Sequence, residues 1–158
     1  MTAARAWCHK GHATSTATPT HMRATSPVAA SLLSRLRVPV IGSPLFIVSN
    51  PNLVVEQCKS GIVGSFPALN ARPKEKLDEW LTDIKARLDD VEGAAPFAVN
   101  QIVHKSNDRL MHDMELLVKH EVPIVITSLG ARADINAAVQ SYGGSVLHDV
   151  INRWARSR

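Results

Sequence analysis

Polar or small residues follow each of five short apolar segments of this 158-residue chain. The residues in question are Gly42-Ser43-Pro44, Ser65-Phe66-Pro67, Asn100-Gln101, Thr127-Ser128-Leu129-Gly130 and His148-Asp149. If the apolar segments are parallel strands, these residues meet at the carboxyl ends of the sheet, where α/β proteins bind ligands. A cleft there, lined by hydrogen-bond donors and acceptors, would suit a flat heteroaromatic cofactor. The sequence therefore predicts a small-molecule site.

Asn100 is the strongest single candidate for a ligand contact. It directly follows the apolar run Phe97-Ala98-Val99, and a buried amide is costly unless it finds a partner. His148 and Asp149 resemble an acid/base pair, but adjacent strand residues point to opposite faces of a sheet. The chain also has no GxGxxG, GxxxxGK[ST] or GxSxG motif, so it lacks the usual dinucleotide, triphosphate and hydrolase fingerprints.

The elements that must position these residues alternate between strands and helices. Strands are predicted at residues 38–41, 61–64, 97–99, 123–126 and 145–147. The predicted helices begin at Asn50-Pro51, near Pro73, at a Ser106 or Asn107 cap, and before Ile135. In the second of them, Leu77, Trp80, Ile84 and Leu88 form one apolar stripe, so Trp80 is expected in the core. This alternation predicts an α/β fold with a parallel sheet.

Composition and charge narrow the functional classes. Residues 1–55 carry five basic and no acidic side chains, whereas residues 56–158 carry thirteen basic and fourteen acidic ones. The net charge of +4 therefore comes from the amino-terminal third, and no basic stripe or aromatic platform points to nucleic acid. No apolar run approaches the roughly 18 residues of a membrane span. Two cysteines, neither in a CxxC pair, favour a reducing compartment, and we expect a cytoplasmic protein.

Residues 1–36 are rich in Ala, Thr, Ser, His and Arg and show no sustained period, which predicts a disordered extension. The same composition fits an organellar targeting segment, and an over-long start with a true initiator at Met22 is a third interpretation. Cys8, His9 and His12 lack a fourth ligand at the usual spacing, so no metal site is predicted. The folded domain is expected at residues 37–158.

Four segments, in order along residues 37–151, resemble the nitronate monooxygenases, formerly called 2-nitropropane dioxygenases. They are Pro39-Val40-Ile41-Gly42-Ser43-Pro44-Leu45-Phe46-Ile47-Val48-Ser49, Lys59-Ser60-Gly61-Ile62-Val63-Gly64-Ser65-Phe66-Pro67-Ala68-Leu69-Asn70-Ala71-Arg72, Pro96-Phe97-Ala98-Val99-Asn100-Gln101-Ile102-Val103-His104, and the pair Val125-Ile126-Thr127-Ser128-Leu129-Gly130 with Gly143-Gly144-Ser145-Val146-Leu147-His148-Asp149-Val150. The resemblance implies an incomplete TIM-type (β/α) barrel of about five parallel strands and four to five helices. In the family, three further βα units carry the phosphate site and the usual catalytic histidine, so the catalytic residue here stays unknown.

The resemblance also implies a chemistry, the oxidation of alkyl nitronates by O₂ to carbonyl compounds and nitrite, with FMN as cofactor. Ser43, Pro44, Leu45 and Asn100 would contact the flavin, and Thr127, Ser128 and His148 would line the substrate side. Ser43 and Leu45 depart from the alanine and methionine usual in the family. Two alternatives remain: a flavin-dependent enoyl reductase sharing the barrel, and a non-catalytic product of a truncated gene. An incomplete barrel leaves open sheet edges, so self-association is expected.

Overall fold

A computed structural model describes the backbone of residues 27–150 and the side chains of residues 30–150. The predicted extension before residue 27, with Cys8, His9, His12 and Met22, lies outside this range, and so do residues 151–158. The described chain contains the strands β1 (Gly64–Pro67), β2 (Phe97–Ile102), β3 (Ile124–Ser128) and β4 (Ser145–His148). Its helices are α1 (Pro27–Ser34), α2 (Pro51–Lys59), α3 (Lys76–Asp89), α4 (Leu110–Lys119) and α5 (Ala133–Gln140), and a 3₁₀ turn spans Ala68–Asn70.

The four strands form one parallel sheet in the order β1-β2-β3-β4. Each strand pairs with the next one along the chain, and a helix connects each consecutive pair. None of the described helices has both the length and the apolar character that crossing a bilayer requires. The predicted α/β class is confirmed, and the strand order is the simplest one that successive βαβ units produce.

The predicted first strand, residues 38–41, is reduced to an isolated parallel bridge between Ile41 and Val63. Val38 is 48% exposed and Val40 is 45% exposed, so this apolar run gains little burial. The Val40 N–H bonds to the Val38 carbonyl at 2.7 Å, inside its own segment. The prediction of a full strand was therefore wrong, because an apolar run forms a regular strand only where both its backbone and its side chains find partners.

The second predicted strand is shifted by three residues, from 61–64 to β1 at 64–67. Gly61 has a φ of +87° and belongs to the turn that leaves α2. Asn100, Thr127 and His148 were expected just beyond strand ends, but they lie within the last residues of β2, β3 and β4. The polar residues therefore belong to the sheet itself.

Among α2 to α5, only α2 has an N-cap residue whose side chain makes a capping hydrogen bond. The Asn50 side chain accepts the Leu53 N–H at 3.2 Å, and Pro51 occupies the first helical position of α2 as predicted. The cap of α4 was predicted at Ser106 or Asn107, but α4 begins at Leu110. Asn107 instead caps the turn that leads into α4: its Oδ1 accepts the Arg109 N–H at 3.2 Å, while its Nδ2 donates to the Ile102 carbonyl at 2.9 Å.

The main core lies between the sheet and helices α2 to α5, on what we call the helix face of the sheet. Phe66, Val99 and Val125 from the strands pack there against helix residues such as Leu81 and Leu117. Trp80 of α3 meets Phe66 edge-on at 5.6 Å between ring centroids, which confirms its predicted core position. Burial of this face accounts for most of the apolar area removed from water.

The opposite, inner face carries Val63, Ala98 and Ile124, with Ile126 and Leu147 beside them. Leu32 and Leu36, from α1 and the residues after it, pack against this second cluster. The sequence did not predict α1, which lies inside the expected extension, because eight residues rich in Ala and Ser show no clear apolar stripe. Contact with the inner face stabilises a helix this short more than its own propensity does.

Candidate functional site

The polar residues at the carboxyl edge divide between the two faces of the sheet. Side chains alternate along a strand, so Asn100 and Ser128 share the inner face, whereas Thr127 lies on the helix face. The Asn100 Nδ2 donates to the Ser128 Oγ at 2.8 Å and to the Ile126 carbonyl at 3.0 Å. We call the space over the inner face at this carboxyl edge of the sheet the mouth. Asn100 and Ser128 form a polar floor for the mouth that their own hydrogen bonds already fix, and Asn100 is only 9% exposed.

Asp149, considered from the sequence only as an acid/base partner of His148, extends this polar floor. The Ser128 Oγ donates to the Asp149 Oδ2 at 3.4 Å, at the long end of the range for a hydrogen bond. The Asp149 backbone N–H also bonds to the Thr127 carbonyl at 2.9 Å, which fixes the start of the loop after β4. The sequence contained one signal of this position, because side chains alternate along a strand and Asp149 therefore points to the face opposite His148.

Thr127 and His148 form a separate pair on the helix face. The Thr127 Oγ1 lies 2.5 Å from the His148 Nδ1, and the Asn136 Nδ2 on α5 lies 3.4 Å from the His148 Nε2. The His148 side chain therefore contacts α5, and the Thr127 side chain is fully buried beside it. The structure does not bring them together with Ser128, with which they were expected to share the substrate side.

The loop of residues 42–49 carries Ser43, Pro44 and Leu45, the remaining predicted cofactor contacts. The Ser65 Oγ donates to the Gly42 carbonyl, which ties the loop to β1. At its far end, the Leu45 N–H donates to the Ser49 Oγ at 2.9 Å and the Ser49 N–H returns to the Leu45 carbonyl at 3.0 Å. These bonds close a compact turn at the carboxyl edge of the sheet.

Asn70, which was not among the candidate residues predicted from the sequence, holds this loop from outside. Its Nδ2 donates to the Leu45 and Ser49 carbonyls, each at 2.9 Å. Its Oδ1 accepts the Ile47 N–H at 3.1 Å. One amide therefore satisfies three backbone groups of the loop. Its position at the end of a turn directly after an apolar strand is the only trace of this role in the sequence.

The rim of the mouth is apolar and exposed. Phe46 is 58% exposed, Ile47 77% and Leu129 67%. Ile47 and Leu129 both adopt positive φ angles, 66° and 61°, which non-glycine residues rarely do. The Arg72 guanidinium carbon lies 5.1 Å from the centre of the Phe46 ring and partly covers it. Backbone strain and exposed apolar side chains at one edge are common features of binding sites.

Two open clefts of the described chain lie away from this edge of the sheet. Two clefts of about 720 and 490 Å³ lie beside the amino-terminal ends of the strands, and both are lined by Arg35, Pro96, Glu121 and Pro123. The mouth at the carboxyl edge is open because the described sheet has no strands opposite it. The candidate site is therefore identified by the polar floor of Asn100 and Ser128 and not by the volume of a cleft.

No protein-family model matches the chain, and no curated protein matches it significantly. Solved structures do resemble it. FabK from Thermotoga maritima matches with a TM-score of 0.68 and 16% identity over 84% of this chain and 40% of that chain. Its M276A mutant matches with a TM-score of 0.67 and 16% identity over 84% of this chain and 42% of that chain. The fold is part of a β/α barrel.

The chain spans about two fifths of the length of these FabK chains. At 16% identity, the likeness shows the fold alone. The predicted incomplete barrel is therefore confirmed, with four strands and a bridge in place of five strands. The resemblance to the nitronate monooxygenases stays a prediction.

Proposed function

We propose that the mouth of this partial barrel binds the ring system of a flavin, FMN, in an oxidoreductase of the nitronate monooxygenase type. The observation that carries the proposal is the polar floor. Asn100 donates both of its amide hydrogens to neighbours, and its Oδ1 accepts no bond from any described residue. A fixed, unused acceptor facing a mouth is suited to a ligand that presents an N–H group, as a flavin ring does.

The loop of residues 42–49 supplies the complementary donors. The backbone N–H groups of Ser43 and Phe46 bond to no described residue, while their neighbours at Leu45 and Ile47 are tied down. The free N–H groups of Ser43 and Phe46 would therefore hold one edge of the ring, with Pro44 and Leu45 in contact beside them, and Asn100 would hold the other edge. In β/α barrels the phosphate commonly binds in loops after the seventh and eighth strands, which are not among the described residues.

The bound flavin would supply the redox chemistry, which is the removal of electrons from a nitronate, with O₂ as the second substrate. The contribution of this chain is to bind and orient the ring and to present a polar floor beside an apolar rim. Ser128 and Asp149 lie next to Asn100, where they would contact a small polar group of the substrate. We assign no catalytic base among the described residues.

A second candidate, flavin-dependent enoyl reduction, is favoured by one observation, the fold likeness to FabK. The two reactions differ in reductant and product. Nitronate oxidation consumes O₂ and releases nitrite, whereas enoyl reduction consumes a reduced nicotinamide. Assaying a flavin-loaded sample for nitrite release and for nicotinamide oxidation would separate them.

The visible absorption spectrum tests the flavin proposal directly. The purified chain is mixed with FMN, freed of excess by gel filtration, and examined for a retained flavin band. We expect a band in the natural chain, a weaker one in Asn100→Leu, and an unchanged one in Asn52→Leu, whose exposed side chain bonds to Arg87 on α3 and not to the loop or to Asn100. Absence of the band in the natural chain would refute the proposal and favour a non-catalytic product.

A further inference from the structure

A largely buried arginine anchors the 3₁₀ turn that carries Asn70. Arg109 lies directly before α4, and its side chain is 16% exposed. Its Nη1 donates to the Ala71 carbonyl at 2.8 Å, and its Nη2 donates to the Ala68 carbonyl at 3.4 Å. These two carbonyls lie on either side of Asn70 in the sequence. The guanidinium therefore fixes both ends of the segment from which the Asn70 side chain projects.

Asp113 holds the guanidinium in this orientation. Its side chain is fully buried, and its Oδ1 accepts the Arg109 Nη2 at 3.1 Å, one helical turn along α4. The His112 Nδ1 lies 3.2 Å from the same oxygen. A buried carboxylate is strongly unfavourable without a cation beside it. The pair therefore constrains Arg109 to point at the turn rather than into solvent.

We infer that Arg109 is a positioning residue for the loop of residues 42–49. The contacts run from Asp113 to Arg109, from Arg109 to the carbonyls flanking Asn70, and from Asn70 to three backbone groups of the loop. Arg109 itself touches neither the loop nor the mouth in any hydrogen bond of the described residues. The inferred effect of Arg109 on binding of the flavin ring rests on the proposed function. Its inferred effect on the loop of residues 42–49 is independent of that function.

Arginine suits this role and lysine does not. A planar guanidinium offers several donors in a fixed fork, so it can bond to two carbonyls and a carboxylate together. A lysine ammonium is a compact charge on a flexible stem and would keep the ion pair without holding both carbonyls. The lysine variant therefore separates the charge of Arg109 from its geometry.

Hydrogen–deuterium exchange of the full chain tests the inference. In Arg109→Lys we expect the peptide covering residues 43–50 to exchange about fivefold faster, the change expected when about one hydrogen bond is lost. A peptide from α5 should be unaffected and serves as the internal reference. Arg132→Lys is the matched control, because the Arg132 side chain bonds only to the nearby Asp134 among the described residues.

A second variant covers the case in which Arg109→Lys unfolds. Arg109→Leu combined with Asp113→Leu replaces the buried pair by apolar side chains, a change that folds often tolerate. It should speed exchange in residues 43–50 as Asn70→Ala does. If Asn70→Ala loosens the loop while both Arg109 variants leave it protected, the inference is overturned.

Flavin retention is measured on the same samples. A natural chain that retains FMN and an Arg109→Lys variant that retains less would support both the inference and the proposed function. Faster loop exchange in Arg109→Lys, with no flavin bound even by the natural chain, would uphold the positioning role and refute the flavin proposal. Unchanged exchange together with weaker flavin binding would overturn the positioning role.

Discussion

Gln101 follows Asn100 on β2 and is enclosed on the helix face of the sheet. Its side chain is fully buried, and neither its Oε1 nor its Nε2 bonds to a described residue. The Asn100 amide, by contrast, is anchored on the inner face. An unpartnered buried amide raises the free energy of the folded state by about 1 to 3 kcal/mol.

Replacing Gln101 with leucine should therefore stabilise the chain. Leucine has a similar volume and no polar atoms, so Gln101→Leu is expected to raise the free energy of unfolding by about 1 kcal/mol. Urea unfolding followed by circular dichroism measures the change. The control is Gln140→Leu on the exposed end of α5, expected to stay within about 0.5 kcal/mol. A loss of stability in Gln101→Leu would reveal a buried polar partner, such as an internal water.

The Cys58 thiol should be inert in the folded chain. Burial raises its pKa to about 11, against an ordinary value of 9.0, so at about pH 8 its thiolate fraction falls roughly a hundredfold. In a Cys8→Ser background, we expect a thiol reagent to label Cys58 only after urea is added. Rapid labelling of the native variant would contradict the buried placement on α2.

Individual residues show what the sequence could reveal about the site. Asn100 was foreseeable because a polar amide interrupts an apolar strand. Alternation along a strand would also have separated Thr127 from Ser128, which were instead expected together on the substrate side. Which of them joins Asn100 depends on the pairing of Asn100 with Ile126, and that register comes from packing of the whole sheet.

Between elements, one ion-pair cluster joins α3 to α4. The Asp78 Oδ1 lies 2.6 Å from the His120 Nε2 and 2.8 Å from the Lys119 Nζ. The hydrogen bond from His120, followed by the one from Lys119, holds the pKa of the Asp78 carboxyl below its ordinary value of 3.8. The folded state therefore favours the ionised carboxylate. Because Asp78 is exposed, water screens the pair and its stabilising effect is small.

The cluster predicts a pH dependence of stability. A carboxyl whose pKa is lowered by folding stabilises the chain above its unfolded pKa, and that contribution is lost as pH falls through the lowered folded value. We expect Asp78→Asn to unfold at a lower urea concentration than the natural chain near neutral pH. The two midpoints should converge in acid. Glu79→Gln, on the same helix, is the control, and a difference that persisted in acid would contradict the ion-pair explanation.

The elements differ in how well the sequence predicted them. The start of α2 was predictable because Asn50 and Pro51 act locally. The strand expected at residues 38–41 was not realised, since its side chains stay exposed and only Ile41 pairs. Helix α1 was missed for the converse reason, because Leu32 and Leu36 find the inner face only in the folded chain. Tertiary contacts decide elements whose local signal is weak.

Across the whole molecule, the described sheet has two edges and an inner face that α1 covers only in part. Strand β4 pairs with β3 on one side and with no described strand on the other. Unpaired strand edges are templates for association. The parallel α/β class followed from the alternation of segments, whereas the number of regular strands depended on long-range pairing.

We accordingly expect the 158-residue chain to self-associate through these edges. Sedimentation velocity over a range of micromolar concentrations should show an average mass that rises with concentration. Thermal unfolding should be broad and depend on concentration. A single monomeric species with one sharp, cooperative unfolding transition would contradict this expectation.

The strand order has a consequence for synthesis on the ribosome. Partners are close in sequence: Phe97 lies 33 positions after its partner Gly64, Ile124 lies 26 after Ala98, and Ser145 lies 21 after Ile124. Each new strand can thus dock on one that has already emerged, without waiting for distant sequence. The sheet can therefore form one strand at a time from β1 as translation proceeds. At each stage the strand added last is the unpaired edge that remains exposed to chaperones.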